Sequence, residues 1–203
     1  MAGLKIERQL LRTGCRTLAG VDEVGRGALF GPVVAVALVL PSDWFLRRPP
    51  SWAGKINDSK LLRPTKRVEL AGLLIREADA LGVGTASSAE IDEMNIYWAT
   101  QAAMKRAIES LAISVDCFLV DGYPLKEVQY RQMGIPQGDR KSVSIAAASI
   151  VAKVFRDGLM DAFDAVYAGY GLARNKGYGT EEHFRGLRAH GPTGLHRMSF
   201  KLG

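Results

Sequence analysis

The segment running from Ser142 to Phe163, SVSIAAASIVAKVFRDGLMDAF, constrains the fold more than any other part of the chain. Its alanines favour a helix and its apolar residues recur at helical spacing, so the segment predicts a long buried helix. Such a helix needs partners to cover it, and the preceding sequence supplies them. Leu18 to Val24 reads as a buried strand that runs into Gly25-Arg26-Gly27, and Val33 to Leu40 reads as a second strand, stopped by Pro41. Leu81 to Ala86 reads as a third. Val115 to Val120 reads as a fourth and delivers Asp121 at its end.

Helices are predicted around these strands. The first dozen residues form a short amphipathic helix. Pro64 sits where a first turn tolerates proline, and Val68, Leu70, Leu73 and Leu74 then give an apolar face through to about Ala80. Ser87 and Glu90 have capping-box spacing ahead of a helical stretch containing Trp98, Met104 and Ile108. Thr180 caps a shorter helix towards His190, which Gly191-Pro192 ends. Ser42 to Gly54, rich in Trp and Pro, reads as a surface loop, and Thr193 to Phe200 has no clear period. Strands come first and helices increase later, with a strand-helix-strand unit among them, which predicts an α/β layered domain with a mixed sheet. At 203 residues the chain suits one such domain.

Lys and Arg number 27 against 21 Asp and Glu, a formal charge of +6 that suits a polyanionic partner without identifying one. The two cysteines, Cys15 and Cys117, stand beside apolar residues outside any metal-ligand spacing and read as buried thiols in a reducing compartment. The N-terminus has no apolar stretch long enough for a signal peptide, and Val33 to Leu40 is too short to span a bilayer, so a soluble, cytoplasmic protein is expected.

Four acids stand out by position: Asp22 and Glu23 at the end of the first strand, Asp121 at the end of a later one, and Asp139 in Gln-Gly-Asp. Ligands gather at the carboxyl edge of α/β sheets, and carboxylates converging there repel unless cations neutralise them. Hard oxygen ligands select Mg²⁺ or Mn²⁺. Adjacent strand residues point to opposite faces, so Asp22 and Glu23 cannot both aim inward from an ideal strand. Taken singly, each acid is more often a turn or cap residue, and Asp121-Gly122 is a common turn pair. Against that, Asp22 and Asp121 each follow an apolar strand directly, where a charge needs a partner or a metal.

Several motifs occur together: Gly20-Val21-Asp22-Glu23-Val24-Gly25-Arg26-Gly27, Asn57-Asp58-Ser59-Lys60, Asp121-Gly122, Gly138-Asp139, Ala146 through Asp157, and Lys176-Gly177-Tyr178-Gly179-Thr180. In this order, over about residues 17 to 200, they closely resemble bacterial ribonuclease HII, of the type 2 ribonuclease H family. The resemblance implies a ribonuclease H-like mixed sheet flanked by helices with a small helical C-terminal region. It implies one catalytic domain over 1–203, in which about 165–203 forms a substrate-binding extension. It also implies endonucleolytic hydrolysis of RNA in RNA/DNA hybrids and at ribonucleotides embedded in duplex DNA. The cut lies 5′ of the ribonucleotide and leaves 3′-hydroxyl and 5′-phosphate ends, by a two-metal mechanism. The metal-binding acids implied are Asp22, Glu23, Asp121 and Asp139.

Telling RNA from DNA requires a contact to the 2′-hydroxyl; taken alone Gly25-Arg26-Gly27 reads more readily as a tight turn, and it is the resemblance that makes its backbone the expected reader. Tyr178, without neighbours that would bury it locally, is expected to be exposed and to pack on the adjacent nucleotide, as the corresponding tyrosine of the family does. Lys60, Lys153, Arg174 and Lys176 are candidates for phosphates, of which motif position favours Lys60 and Lys153. Asp157, beside Arg156, reads as half of a structural ion pair. His183, His190 and His196 show no ligand spacing and are expected at the surface or at helix ends. The chain departs from the family in Ala28, where proline is common, and in Asn175, where histidine is common, which puts local loop shape in question. Two rivals remain: another nuclease of the same fold, and a basic module that binds nucleic acid without cleaving it.

Overall fold

The computed structural model describes residues 2–47, 49–56, 59 and 62–203. Strands β1 (Leu18–Val24), β2 (Val33–Val39), β3 (Ala80–Ala86), β4 (Cys117–Asp121) and β5 (Gln132–Ile135) form one sheet in the order β3-β2-β1-β4-β5. β2 pairs antiparallel with β1 and β3, whereas β1, β4 and β5 run parallel, so the sheet is mixed. Every residue of β2 is buried, as its unbroken apolar run requires of a strand covered on both faces.

The long helix is present as α5 (Val143–Val166) and packs across β1 and β2, while α4 (Ser88–Glu109) covers the opposite face. Close contact with α5 depends on small residues on both sides. Ala146, Ala147 and Ala148 are fully buried, and a Cβ on Gly20 of β1 would lie 2.1 Å from the Ser144 carbonyl. Ser142 caps α5 by accepting a bond from the Ile145 amide. Glu7, fully buried on α1 (Lys5–Arg12), accepts bonds from the Ser142 hydroxyl at 2.6 Å and the Ser144 amide at 3.0 Å. Its carboxylate thus meets the positive end of the helix dipole. The capping box of Ser87 and Glu90 forms as expected, and Cys15 and Cys117 are buried. Among the described residues no helix is long and apolar enough to cross a membrane.

Several expectations need correction. Ser42–Leu46 is a short helix, α2, and Ala53–Lys55 a 3-10 turn, because Trp44 and Phe45 are drawn into the core beside Leu70 and Leu74; a surface loop would have left them exposed. Helix α3 spans Pro64–Glu77 and stops short of Ala80, which opens β3. Val68 is 59% exposed; the buried stripe of α3 runs instead through Arg67, Leu70, Ala71 and Leu74. β4 begins at Cys117, two residues later than expected, and β5 carried no clear sequence signal. Helices α6 (Leu172–Asn175) and α7 (Glu181–His190) complete the fold, packed with Phe30 and Met160 in a separate apolar cluster.

His190 is exposed at the end of α7 and His183 sits in its first turn, both helix-end positions as expected, but His183 and His196 are buried and not at the surface. Their Nε2 atoms lie 3.1 Å apart. The Thr193 amide donates to His196 Nδ1, so His196 carries its proton on Nε2 and donates it to His183 Nε2; His183 Nδ1 then donates to the Tyr178 carbonyl. The pair is therefore neutral, and one more proton would set two N–H groups head to head. Burial lowers the pKa of His183, and burial followed by the His183 neighbour pushes His196 down to about 4. Also near the pair are Arg197, next in the chain, and His190, whose ring meets Tyr170 from α7.

A depressed histidine pKa means that the unfolded chain takes up the proton first. Stability is therefore complete above the unfolded value near 6.5 and is lost as pH falls towards 4. Urea midpoints measured between pH 7 and pH 4 should show up to about 3 kcal/mol of acid destabilisation from His196, and the gap between wild type and His196→Gln should shrink over that range. A gap that stays constant with pH would show that the pair does not titrate as argued.

Candidate metal centre and nucleic-acid face

β1 and β4 are parallel neighbours, so their carboxyl ends meet at one edge of the sheet and bring Asp22 and Glu23 together with Asp121. One carboxylate oxygen from each of the three lies within 4.8 Å of the others. The strand alternation noted above is preserved. Gly20 faces α5, and Asp22 shares that face; Ala19 and Val21 pack in the α4-side core, and Glu23 continues their side. The cluster thus straddles the end of the sheet, with Glu23 reaching it from the α4 side. Asp139, in the 3-10 turn Gly138–Arg140, lines the same cavity but is outside that close group. The turn is placed by Asp121 itself, whose Oδ1 accepts the Gly138 amide at 2.6 Å.

Asp22 is 5% exposed, and burial, then Glu23 and Asp121, raise its carboxyl well above the usual range. Burial also raises Glu23, with Asp121 adding to the effect and Arg26 opposing it. The Arg26 guanidinium, half-exposed, sits 3.3 Å from Glu23. Carboxylates this close together repel one another, a strain that a divalent ion would relieve, and an all-oxygen donor set fits a hard ion such as Mg²⁺ or Mn²⁺. The donor chemistry present therefore fits the metal that the sequence implied.

A cavity of 380 Å³ opens over this cluster on the α5 side and includes Ser59, Ser149, Lys153 and Tyr178 in its walls. The Ser149 hydroxyl stands 3.0 Å from that of Ser59, and both residues line the cavity beside Asp22. Arg67 donates to the Ser59 carbonyl at 2.8 Å and reaches Asp157 at 3.4 Å. Lys153 pairs with Asp157 at 2.6 Å, so the structural ion pair expected of Asp157 exists, with Lys153 and Arg67 as its partners in place of Arg156. Asn57, Asp58 and the candidate Lys60 lie outside the described residues. Arg174 pairs with Glu182 and Lys176 with Asp161, so these phosphate candidates, like Lys153, are engaged within the protein, and of the three only Lys153 lines the cavity of the acids.

The loop Gly25-Arg26-Gly27 is held from beneath by two fully buried arginines that sequence reasoning missed. Arg156 donates from Nε to the Pro32 carbonyl at 3.1 Å, from Nη1 to Lys176 at 2.8 Å and from Nη2 to Phe30 at 3.0 Å. Arg197 donates to Arg26 at 2.8 Å and twice to Gly31. Gly25, at φ +92°, is required: a Cβ there would lie 2.1 Å from Arg156 Nε. At Gly27 a Cβ would meet no protein atom within 4 Å. Arg156 carried a signal, since it falls on the buried stripe Ser149, Ala152, Arg156, Met160, where a charge needs a built partner. Arg197, in an aperiodic tail, carried none.

Tyr178 is half-buried, not fully exposed as expected, because the Arg156 guanidinium backs its ring 5.7 Å from the centroid. Asn175 sets the preceding turn: its Nδ2 donates to the Tyr170 carbonyl and its Oδ1 accepts the Gly177 amide, with Lys176 and Gly177 both at positive φ. The departure from the family's histidine is thus met by an amide that shapes the loop.

The sequence profile of the family described as Ribonuclease HII matches residues 19–203. A curated relative from Moorella thermoacetica, "Ribonuclease HII", is 51% identical over 96% of this chain and 91% of its own. Another of the same description, from a Synechococcus strain, is 49% identical over 97% and 87%. Among solved structures, the ribonuclease H2 of Pyrococcus horikoshii OT3 superposes with a TM-score of 0.73 at 26% identity, covering 92% of this chain and 94% of that one.

Uncompensated charge at the strand ends should cost stability when no ion is bound. Asp121→Asn keeps the acceptor for Gly138 and removes one carboxylate, so the metal-free variant should melt about 2 to 4 °C above wild type, the equivalent of about 1 kcal/mol in a domain of this size. Adding MgCl₂ or MnCl₂ should raise the melting temperature of wild type and leave the variant nearly unchanged. A wild type that ignores both ions would remove the metal from this site.

Proposed function

The chain belongs to the ribonuclease HII family, and from that premise we propose that it is a divalent-metal-dependent endoribonuclease. Its substrates are RNA/DNA hybrids and DNA duplexes carrying single ribonucleotides, and it cuts 5′ of the ribonucleotide to leave 3′-hydroxyl and 5′-phosphate ends. The observation that carries this reading is the shared cavity, in which the acid cluster, Lys153 and Tyr178 face one space. Asp22, Glu23 and Asp121, with Asp139 at the margin, would hold Mg²⁺ or Mn²⁺. Bound there, two ions would supply an activated water and stabilise the leaving 3′-oxygen.

The chain's own residues do the rest. The backbone of Gly25-Arg26-Gly27 reads the 2′-hydroxyl, a role supported by the open space over Gly27, which leaves room for a sugar to approach. Arg156 and Arg197 fix that loop against the tyrosine turn, so the ring of Tyr178 and the loop meet the nucleotide in one register. Lys153, and Lys60 by its motif, supply positive charge for phosphates. The segment from about 165 to 203, which carries Tyr178 and Arg197, acts as the substrate-binding extension. A binding module that no longer cleaves gains nothing from clustered carboxylates facing phosphates, and this disfavours it.

The decisive experiment is incubation with an end-labelled DNA duplex carrying one ribonucleotide, with and without metal, and mapping of the cut. Metal-dependent cleavage at the 5′ side of the ribonucleotide is expected; binding without cleavage would favour the non-catalytic module, and cuts unrelated to the ribonucleotide another nuclease of the fold. Asp121→Asn should abolish most turnover. Tyr178→Ala should lose about tenfold or more in rate at a single ribonucleotide at limiting substrate, and less on a continuous hybrid, because a hybrid offers many registers. Tyr178→Phe should be milder, and equal losses on both substrates would make Tyr178 a general packing residue.

A further inference from the structure

The acid cluster opens on both faces of the sheet, and Tyr178 stands at only one opening. The other, a cavity of 240 Å³ on the α4 side, also has Glu23 and Asp121 in its wall, along with Arg26, Tyr97, Gln101 and Tyr123. Its rim has features that core packing does not explain. Tyr123 is 76% exposed and Trp98 38%. Tyr97 and Trp98 meet edge to face at 5.1 Å, and the Lys126 ammonium lies over both rings, 5.5 and 5.7 Å from their centroids. No carboxylate pairs with Lys126 among the described residues.

The backbone is bent to build this rim. α4 breaks at Asn95, a non-glycine residue at φ +69° and ψ 165°, whose Oδ1 accepts the amides of Tyr97 at 2.9 Å and Trp98 at 3.3 Å. Asn95 thereby caps the second half of the helix and sets where Tyr97 and Trp98 point. Left-handed φ at such a residue is strained and collects at functional sites. The facing loop holds a second such residue, Glu127 at φ +57°, and is tied to α4 where the Lys126 amide donates to Gln101 at 2.9 Å.

A strand that presents one phosphate to the acid cluster must leave it in two directions. On the α5 side it meets Tyr178. We propose that Tyr97, Trp98, Tyr123 and Lys126 form a second nucleic-acid subsite, which grips the sugar–phosphate backbone on the opposite flank of the scissile phosphate. A lysine held over two aromatic faces is already positioned and partly desolvated, and it still presents N–H groups outward to a phosphate. The aromatic surfaces cover the adjoining sugars. Positive charge here also offsets the repulsion between the substrate and the carboxylates next door.

This inference rests on the nuclease reading, and the test separates the two. Binding is measured by anisotropy in the Asp121→Asn protein, where cleavage does not interfere, with three labelled duplexes carrying one ribonucleotide: one extended on both sides, one cut short 5′ of it and one cut short 3′ of it. Trp98→Ala/Lys126→Ala should bind the full duplex about tenfold more weakly, with a shallower salt dependence. The loss should persist on one shortened duplex and vanish on the other. Unchanged affinity for the full duplex, or the same loss on both shortened ones, overturns the subsite. If the wild type cleaves nothing while this pattern of binding holds, the nuclease reading fails and the subsite stands. Trp98→Phe, which keeps an aromatic face, should bind nearly as wild type and guards against a folding artefact.

Discussion

Arg156 leaves the middle of α5 with its guanidinium sealed from water and shares it among carbonyls of two loops, Phe30 and Pro32 on one side and Lys176 on the other. Arg197 does the same for Arg26 and Gly31. Among the described residues neither arginine is bonded to a carboxylate, so each charge is compensated by oriented carbonyl dipoles. Burial, then repulsion from Arg156, pushes Arg197 down to about 9, which still leaves it charged at neutral pH. Two like charges buried together are costly, and removing either would strand carbonyls in a dry interior as well as a cation's cavity. What they secure is geometry: the glycine loop after β1 and the tyrosine turn before α7 are fixed to the same helix.

The acid cluster carries the opposite imbalance. Parallel pairing of β1 with β4 forces Asp22 and Asp121 to the same edge, and Glu23 joins them from the other face. With Asp22 buried and raised well above its usual range, the site is an arrangement that folding alone would not favour. The surrounding structure sustains it: α5 is capped by Ser142 and Glu7, and Ser59 and Ser149 line the cavity beside the carboxylates. A folded scaffold thus holds negative charge together at a stability cost that a bound cation would return.

What could be read from the sequence was whatever depends on local pattern. The helix from Ser142, the first two strands and the Ser87-Glu90 capping box are written in spacing alone, and the acids stood out because they end apolar strands. Features decided by distant contacts were not legible. Trp44 and Phe45 look like loop residues until the core beside α3 takes them in, and Val68 has the right spacing but lies on the outward side of its helix. His183 and His196 are thirteen residues apart and make sense only as a pair. The break at Asn95 has no local signal, because asparagine inside a helical pattern is ordinary and only the tertiary position of Tyr97 and Trp98 calls for it. Asp139 shows an intermediate case: motif position put it in the cavity, but the close trio of oxygens omits it.

The C-terminal segment is joined to the catalytic sheet more tightly than its irregular sequence suggests. The Leu29 carbonyl accepts the Arg197 amide, the Gly31 amide donates to Leu195, and the Leu29 amide donates to Gly177, so the loop after β1 is laced to both the tail and the tyrosine turn. The neutral histidine pair extends this lacing, passing one ordered set of protons from Thr193 through His196 and His183 to the carbonyl of Tyr178. Backbone position at Tyr178 is thus set from the tail and ring position from Arg156, while the glycine loop is set by Arg156 and Arg197 together. A displacement of the tail would therefore move the ring relative to the carboxylates even though no tail residue enters their cavity. The glycine loop, the tyrosine turn and the acid cluster come from distant parts of the chain, and the buried polar groups between them hold all three in one register.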